Sequence, residues 1–219
     1  MIEDMRGLLS GALLTFAAFF PIVNPLAIAP IFLSLTRDLT VAQRRVLALK
    51  VAINGFLLLL GTLLVGDYVL TFFGVSVPVV QLAGGLVVAS LGWRLLHAPD
   101  EDPEARTPET WSAMESKALY PLTLPLTVGP GAISVAITIG ANFPSTPQTF
   151  LFDVTSSLIG ILGVAVSAFL CFAYADRVSN RLGPHGLTVV MKLSAFILLC
   201  IGIQIMWNGT DALFGITKR

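Results

Sequence analysis

The run from Leu8 to Leu35 limits what this chain can fold into more than any other stretch. It is apolar and long enough to cross a bilayer, where about 20 such residues suffice. Near its middle stand Pro21, Asn24 and Pro25. Each proline removes a backbone donor and crowds the carbonyl one turn earlier, so the run cannot be one regular helix. Asn is a favoured helix N-cap and Pro a favoured first helical residue. Asn24-Pro25 therefore predicts that one half-helix ends near Phe20 and a second starts at Pro25, at mid-membrane depth. The device returns at Pro125-Leu126-Thr127-Val128-Gly129-Pro130-Gly131, where Gly129-Pro130 can start a helix in the same way. Two broken helices in corresponding halves point to a transporter binding site.

Composition agrees with a membrane chain. The 219 residues are 55% hydrophobic and 12% charged, whereas soluble domains carry about 25% charged residues. The formal net charge is zero, which suggests no nucleic-acid partner. Cys171 and Cys200 lie in apolar runs and read as buried small hydrophobes, not as a metal or disulfide framework. The first apolar run is too long for a signal-peptide core and reads as a retained helix.

The expected class is all-α, a polytopic membrane protein with six transmembrane helices. Helix 1 is expected over 8–35, broken at 21–25. Helix 2 is expected over 45–65, closed by Gly66-Asp67, and helix 3 over 76–96. Helix 4 follows over 118–141, broken at 127–131, then helix 5 over 149–174. The stretch 176–186 reads as a polar loop before helix 6 at 187–208. Three units result: a first three-helix repeat (1–97), a cytoplasmic linker loop (98–117) and a second repeat (118–219). Asn24-Pro25 and Gly129-Pro130 lie 105 positions apart (24 to 129), and Leu91-Gly92 matches Ile201-Gly202 at 110 (91 to 201). Three spans per repeat would place the second copy inverted in the bilayer.

Basic residues predict the orientation. Arg37, Arg44, Arg45, Lys50, Arg94, Arg106, Lys117, Arg177, Arg181 and Lys192 flank the loops after helices 1, 3 and 5. Only Arg6, Lys218 and Arg219 lie on the other side. This places both termini on the extracytoplasmic side. Lys192 reads as a lysine that snorkels to the cytoplasmic interface.

The two breaks are expected to face each other, because non-helical backbone survives in a bilayer only inside protein or beside a cavity. Two helix N-termini then converge with free amides, which suit a carboxylate. The preceding half-helices end in free carbonyls, which suit an ammonium group. A small zwitterion matches both. The candidate substrate-binding residues are Pro21, Ile22, Val23, Asn24, Pro25, Thr127, Val128, Gly129, Pro130, Gly131 and Ser134. Gly129 and Gly131 leave room for backbone approach, and Thr127 and Ser134 supply hydroxyls.

These residues resemble the MarC family of inner-membrane proteins. The matching parts are Asn24-Pro25 with Pro30-Ile31-Phe32-Leu33-Ser34-Leu35-Thr36, and Pro125 with Gly129-Pro130-Gly131-Ala132-Ile133. The family's Asn-Pro-Ile-Gly continuation reads Asn24-Pro25-Leu26-Ala27 here, so a methyl group narrows the space beside the break. The resemblance implies two inverted three-helix repeats, with the discontinuous first and fourth helices lining the site. It also implies transport of small neutral amino acids such as glycine or alanine.

A small-solute channel of the half-helix, inverted-repeat kind is the alternative. That fold would want Asn-Pro in both halves and an Arg at its constriction, and the second half has Gly129-Pro130. An enzyme is not expected, since neither His-Glu-x-x-His nor Gly-x-Ser-x-Gly occurs. No cofactor and no metal are expected. Without a nucleotide-binding loop, uphill transport would use a coupling ion, proton or sodium, or exchange.

Overall fold

The computed structural model describes residues 2–36, 38–97, 111–144 and 146–215, and every element among them is helical. The order is α1 (Ile2–Val23), α2 (Pro25–Leu35), α3 (Val41–Phe73), α4 (Val77–His97) and α5 (Trp111–Ser116). A wide-turn segment, Ala118–Thr127, precedes α6 (Pro130–Ala141), α7 (Pro147–Ala173) and α8 (Ala175–Phe214). Five stretches are long and apolar enough to cross a membrane: Met5–Leu33, Val41–Phe73, Val77–His97, Thr149–Ala173 and Thr188–Phe214. At 12 residues, α6 is too short to do so alone.

Helix α3 runs past its expected end. Gly66 and Asp67 do not close it; the helix continues to Phe73 and stops at Gly74, whose φ of 66° is the left-handed cap. Gly66 stays helical because Ile137 of α6 fills the place of its missing side chain. The expected polar loop at 176–186 is also corrected. It is helical on both sides of Gly183, which alone departs, at φ 65° and ψ 174°. That conformation is open only to glycine, and Pro184 then restarts the helix. Of the expected linker loop, 111–116 is helix, while 98–110 lie outside the described residues. His97 ends α4, its ring 4.1 Å from that of Trp93. Cys171 is half-buried, but Cys200 is exposed and not the buried hydrophobe expected.

Small residues set the closest helix pairing. A Cβ on Gly85 would meet the Met206 amide and Gly202 carbonyl, and one on Gly92 the Leu199 amide and Ala195 carbonyl. On α8, Gly202 faces Ala89 and the Gly85 carbonyl, and Gly209 faces the Pro78 carbonyl. Partner numbers fall on α8 as they rise on α4, so the two helices run antiparallel, backbone against backbone. Without a hydrophobic drive between helices in lipid, such close approach is the main source of association. Around this pair, α2 packs on α7 and α8, α6 packs on α3 and α4, and α3 packs on α7. In addition, α1 lies along α7, and the wide-turn segment against α3.

The contacts define two ends of the bundle. At one, Gly7 of α1 meets Phe152 of α7, and Gly209 of α8 meets the start of α4. At the other, α2 ends beside the start of α8, joined by Arg44. This arginine is buried (5% exposed). Its Nε donates to Thr36 Oγ1 (3.1 Å), its Nη2 to the Thr36 (3.0 Å) and Leu39 (3.3 Å) carbonyls, and its Nη1 to Asp176 Oδ2 (2.5 Å). Lys50 pairs with Glu115 at the same end. Lys192 lies there too, but its Nζ donates to the Leu96 carbonyl (2.9 Å), in the last turn of α4. It caps a helix C-terminus as well as lying near the end of the bundle.

Candidate functional site: two helix breaks around one cavity

The first break is tighter than the sequence suggests. Helix α1 continues through Pro21 to Val23, not Phe20, and a single residue, Asn24, separates it from α2. Asn24 has φ 45° and ψ 56°, the one non-glycine at positive φ among the described residues. Asn tolerates this region better than other residues with a Cβ. Its amide still bonds the Phe20 carbonyl (2.9 Å), its carbonyl accepts from Ile28 (3.1 Å), and its Oδ1 accepts from the Ala27 amide (3.4 Å). Asn24 is thus both the bend and the cap. The Leu26 amide at the start of α2 is not engaged by it. Pro21 and Pro25 lack the amides that would bond the Ala17 and Pro21 carbonyls in an unbroken helix, so this end also presents acceptors.

The second break is longer. Pro121 and Pro125 interrupt the ladder, and the segment 118–127 widens to five-residue hydrogen bonds, such as Val128 N–H to the Thr123 carbonyl (2.8 Å). Two threonines repair it. Thr123 Oγ1 donates to the Ala118 carbonyl (2.7 Å) and Thr127 Oγ1 to the Leu122 carbonyl (2.7 Å). Helix α6 then starts at Gly129 (φ −85°, ψ 174°) and Pro130, with no side chain capping its first turn. Its early amides, on Gly131 and Ala132, sit on buried residues.

The breaks meet. A Cβ on Gly131 would lie 3.6 Å from Ile22 of α1. Val23, Thr127 and Val128 line one small cavity of about 10 Å³, the room of about one water molecule. Its other walls come from α3, including Ala52 and Gly55, and from α7, including Ala165 and Ala168. Those walls were not anticipated. Small residues three apart on each helix are the signal that marks them. The lining is almost wholly apolar, with Thr127 its one hydroxyl. That hydroxyl's hydrogen is taken by Leu122, but its lone pairs remain.

The remaining candidates are placed differently. Pro25 is buried and Pro130 exposed. Gly131 does not leave open space: Val88 of α4 fills the position of its absent side chain. Ser134 turns away from the breaks, donating to the Val80 carbonyl of α4 (2.9 Å) and packing on Gly84. Among the described residues no cluster of His, Cys, Asp and Glu can hold a metal ion.

An all-helical bundle with several bilayer-length apolar helices, carrying helix breaks on a buried cavity, defines a polytopic integral membrane protein. The MarC family model, described as MarC family integral membrane protein, matches residues 9–214. The chain belongs to that family. It is 30% identical over 208 residues to the inner membrane protein MarC of Salmonella typhimurium, covering 90% of this chain and 92% of that one. The membrane protein YhcE of Escherichia coli K12 is 30% identical over 201 residues, with 91% of each chain covered. The membrane protein YvbG of Bacillus subtilis is 27% identical over 202 residues, covering 91% of this chain and 93% of that one. No solved structure matches the chain.

Proposed function

We propose that this protein is a secondary transporter of small neutral amino acids, binding its substrate between the two helix breaks. The observation that carries the reading is that residues just before the two breaks, Val23 on one side and Thr127 and Val128 on the other, line one buried cavity. At each break a helix N-terminus supplies positive potential, and proline-freed carbonyls supply negative potential nearby. A zwitterion satisfies both, and Thr127 can accept from its ammonium group. The architecture belonging to this reading has six crossings in two inverted repeats, the wide-turn segment and α6 together making the fourth. Exchange of α2 with α6, α3 with α7, and α4 with α8 turns the packing of α3 on α6 into that of α7 on α2, and the packing of α4 on α6 into that of α8 on α2, which supports the symmetry. The inner membrane is the location, as in the relative's name, with both termini extracytoplasmic.

A cavity of about 10 Å³ holds no amino acid, so substrate entry requires the walls to part. The half-helices α2 and α6, hinged at Asn24 and Gly129, are the parts that can move. A closed, apolar centre favours a carrier over an open channel. The coupling ion is a proton or sodium.

Counterflow of radiolabelled glycine and alanine in proteoliposomes tests the proposal. Saturable exchange is expected, whereas rapid unsaturable flux would establish the channel reading instead. Glycine should also raise the thermal stability of the purified protein by mass action. Asn24→Ala and Gly129→Val should abolish that shift while leaving expression intact. A full glycine shift in both variants would move the site elsewhere.

A further inference from the structure

One charged arrangement lies outside the breaks and is independent of them. Tyr174 forms the junction between α7 and α8. The guanidinium of Arg45, from α3, lies 5.2 Å from its ring centroid, and that of Arg177, from α8, lies 5.0 Å. Both arginines are exposed. Arg181, one turn beyond Arg177, is exposed as well. The nearest acid in sequence, Asp176, is already bonded to Arg44. Among the described residues, neither Arg45 nor Arg177 has an acidic partner, whereas Arg44 pairs with Asp176 and Lys50 with Glu115.

Two like charges held over one ring repel each other, and the ring's quadrupole offsets this only in part. An anion at this surface is attracted by both charges and can accept from their donor forks. The place along the helices says which anion. Tyr174 directly follows the apolar run that ends α7 at Ala173, and Arg45 directly precedes Val46, where the apolar part of α3 begins. This is headgroup depth, where tyrosine collects at the membrane boundary. A phosphodiester reaches that depth on a lipid, and a choline headgroup would bring a repelled cation.

We propose that Arg45 and Arg177, held on the two sides of the α3–α8 boundary by Tyr174, bind the phosphate headgroup of an anionic phospholipid. Native mass spectrometry of the purified protein, offered equal amounts of phosphatidylglycerol and phosphatidylcholine, reads the preference. A gain of about fivefold per guanidinium is expected for phosphatidylglycerol in the wild type. Preference should fall to near parity in R45Q/R177Q and survive in part in R45K/R177K, which keeps the charge but not the forks. In the wild type it should collapse in about 0.5 M salt, a check that depends on no variant. Equal retention of the two lipids by the wild type overturns the proposal. So does an undiminished preference in R45Q/R177Q. Displacement of the lipid by millimolar inorganic phosphate would make this a site for the free ion, and would overturn the lipid assignment.

Discussion

Arg44 shows how one side chain can hold several chain ends. It is a charge in a nearly dry place, which is tolerable only when every donor is matched. Thr36 supplies two of the acceptors, and its own hydroxyl donates to the Phe32 carbonyl (2.7 Å). The guanidinium thereby caps the end of α2, secures the turn into α3 and ties both to α8. Lysine has one nitrogen and cannot reach four separated acceptors. Arg44→Met should cost about 3 kcal/mol, since it strands buried acceptors, and Arg44→Lys somewhat less. Lys50→Met should cost under about 1 kcal/mol, because that pair is roughly 40% exposed on both sides. Thermal unfolding of the three variants in one detergent ranks them. Equal shifts for Arg44→Met and Lys50→Met would show that burial does not set the value of the pair. The sequence marked Arg44 only as one of several basic loop residues. Its burial comes from the return of α8, more than 130 positions later, and no local pattern carries that.

Glycine, at the scale of the element, separates the helices that touch from the faces that do not. Along α4 and α8, Gly85, Gly92, Gly202 and Gly209 each face partner backbone, which cannot move aside. Gly61 of α3 has nothing within 4 Å of the position of a Cβ. Gly92→Leu and Gly202→Leu should each destabilise by about 1–3 kcal/mol through overpacking. Gly61→Ala should stabilise by up to about 1 kcal/mol, the gain in helix propensity without a clash. Melting temperatures in matched detergent would settle it, and a destabilising Gly61→Ala would mean that this face of α3 is covered in the native protein.

The same elements show what was legible. Asn24-Pro25 and Gly129-Pro130 carry their own start signals, so both half-helices were readable to within a few residues. The end of α1 was misplaced because Pro21 costs a donor without ending the helix; the turn actually fails at Asn24. Gly66 read as a stop because its packing partner, Ile137, is about 70 positions away. Ser134 read as a site hydroxyl because the sequence does not say which face of α6 meets α4. Gly131 misled in the same way: its lack of a side chain makes room for Val88, not for a ligand.

The alternating course of the helices binds these pieces into one molecule. Arg44, Arg45, Lys50, Arg94, Lys117, Arg177, Arg181 and Lys192 all lie toward the end of the bundle where α2 stops and α8 begins. Arg6 is at the opposite end, with the turns at Gly74–Ser76 and Asn142–Pro144. The excess of Lys and Arg at this end predicts that it lies in the cytoplasm. The turn before α4 should therefore face outward and the turn between α2 and α3 inward. The clean test begins from a background with Cys171 and Cys200 replaced by Ser. In that background, Ser76→Cys should react with a membrane-impermeant maleimide on intact cells, and Asp38→Cys only after lysis. The reverse pattern would invert the protein while keeping its fold. Labelling of both positions from one side would contradict the fold itself, because α3 runs between them for 33 residues, about 50 Å of helix, and must leave them on opposite faces of the bilayer.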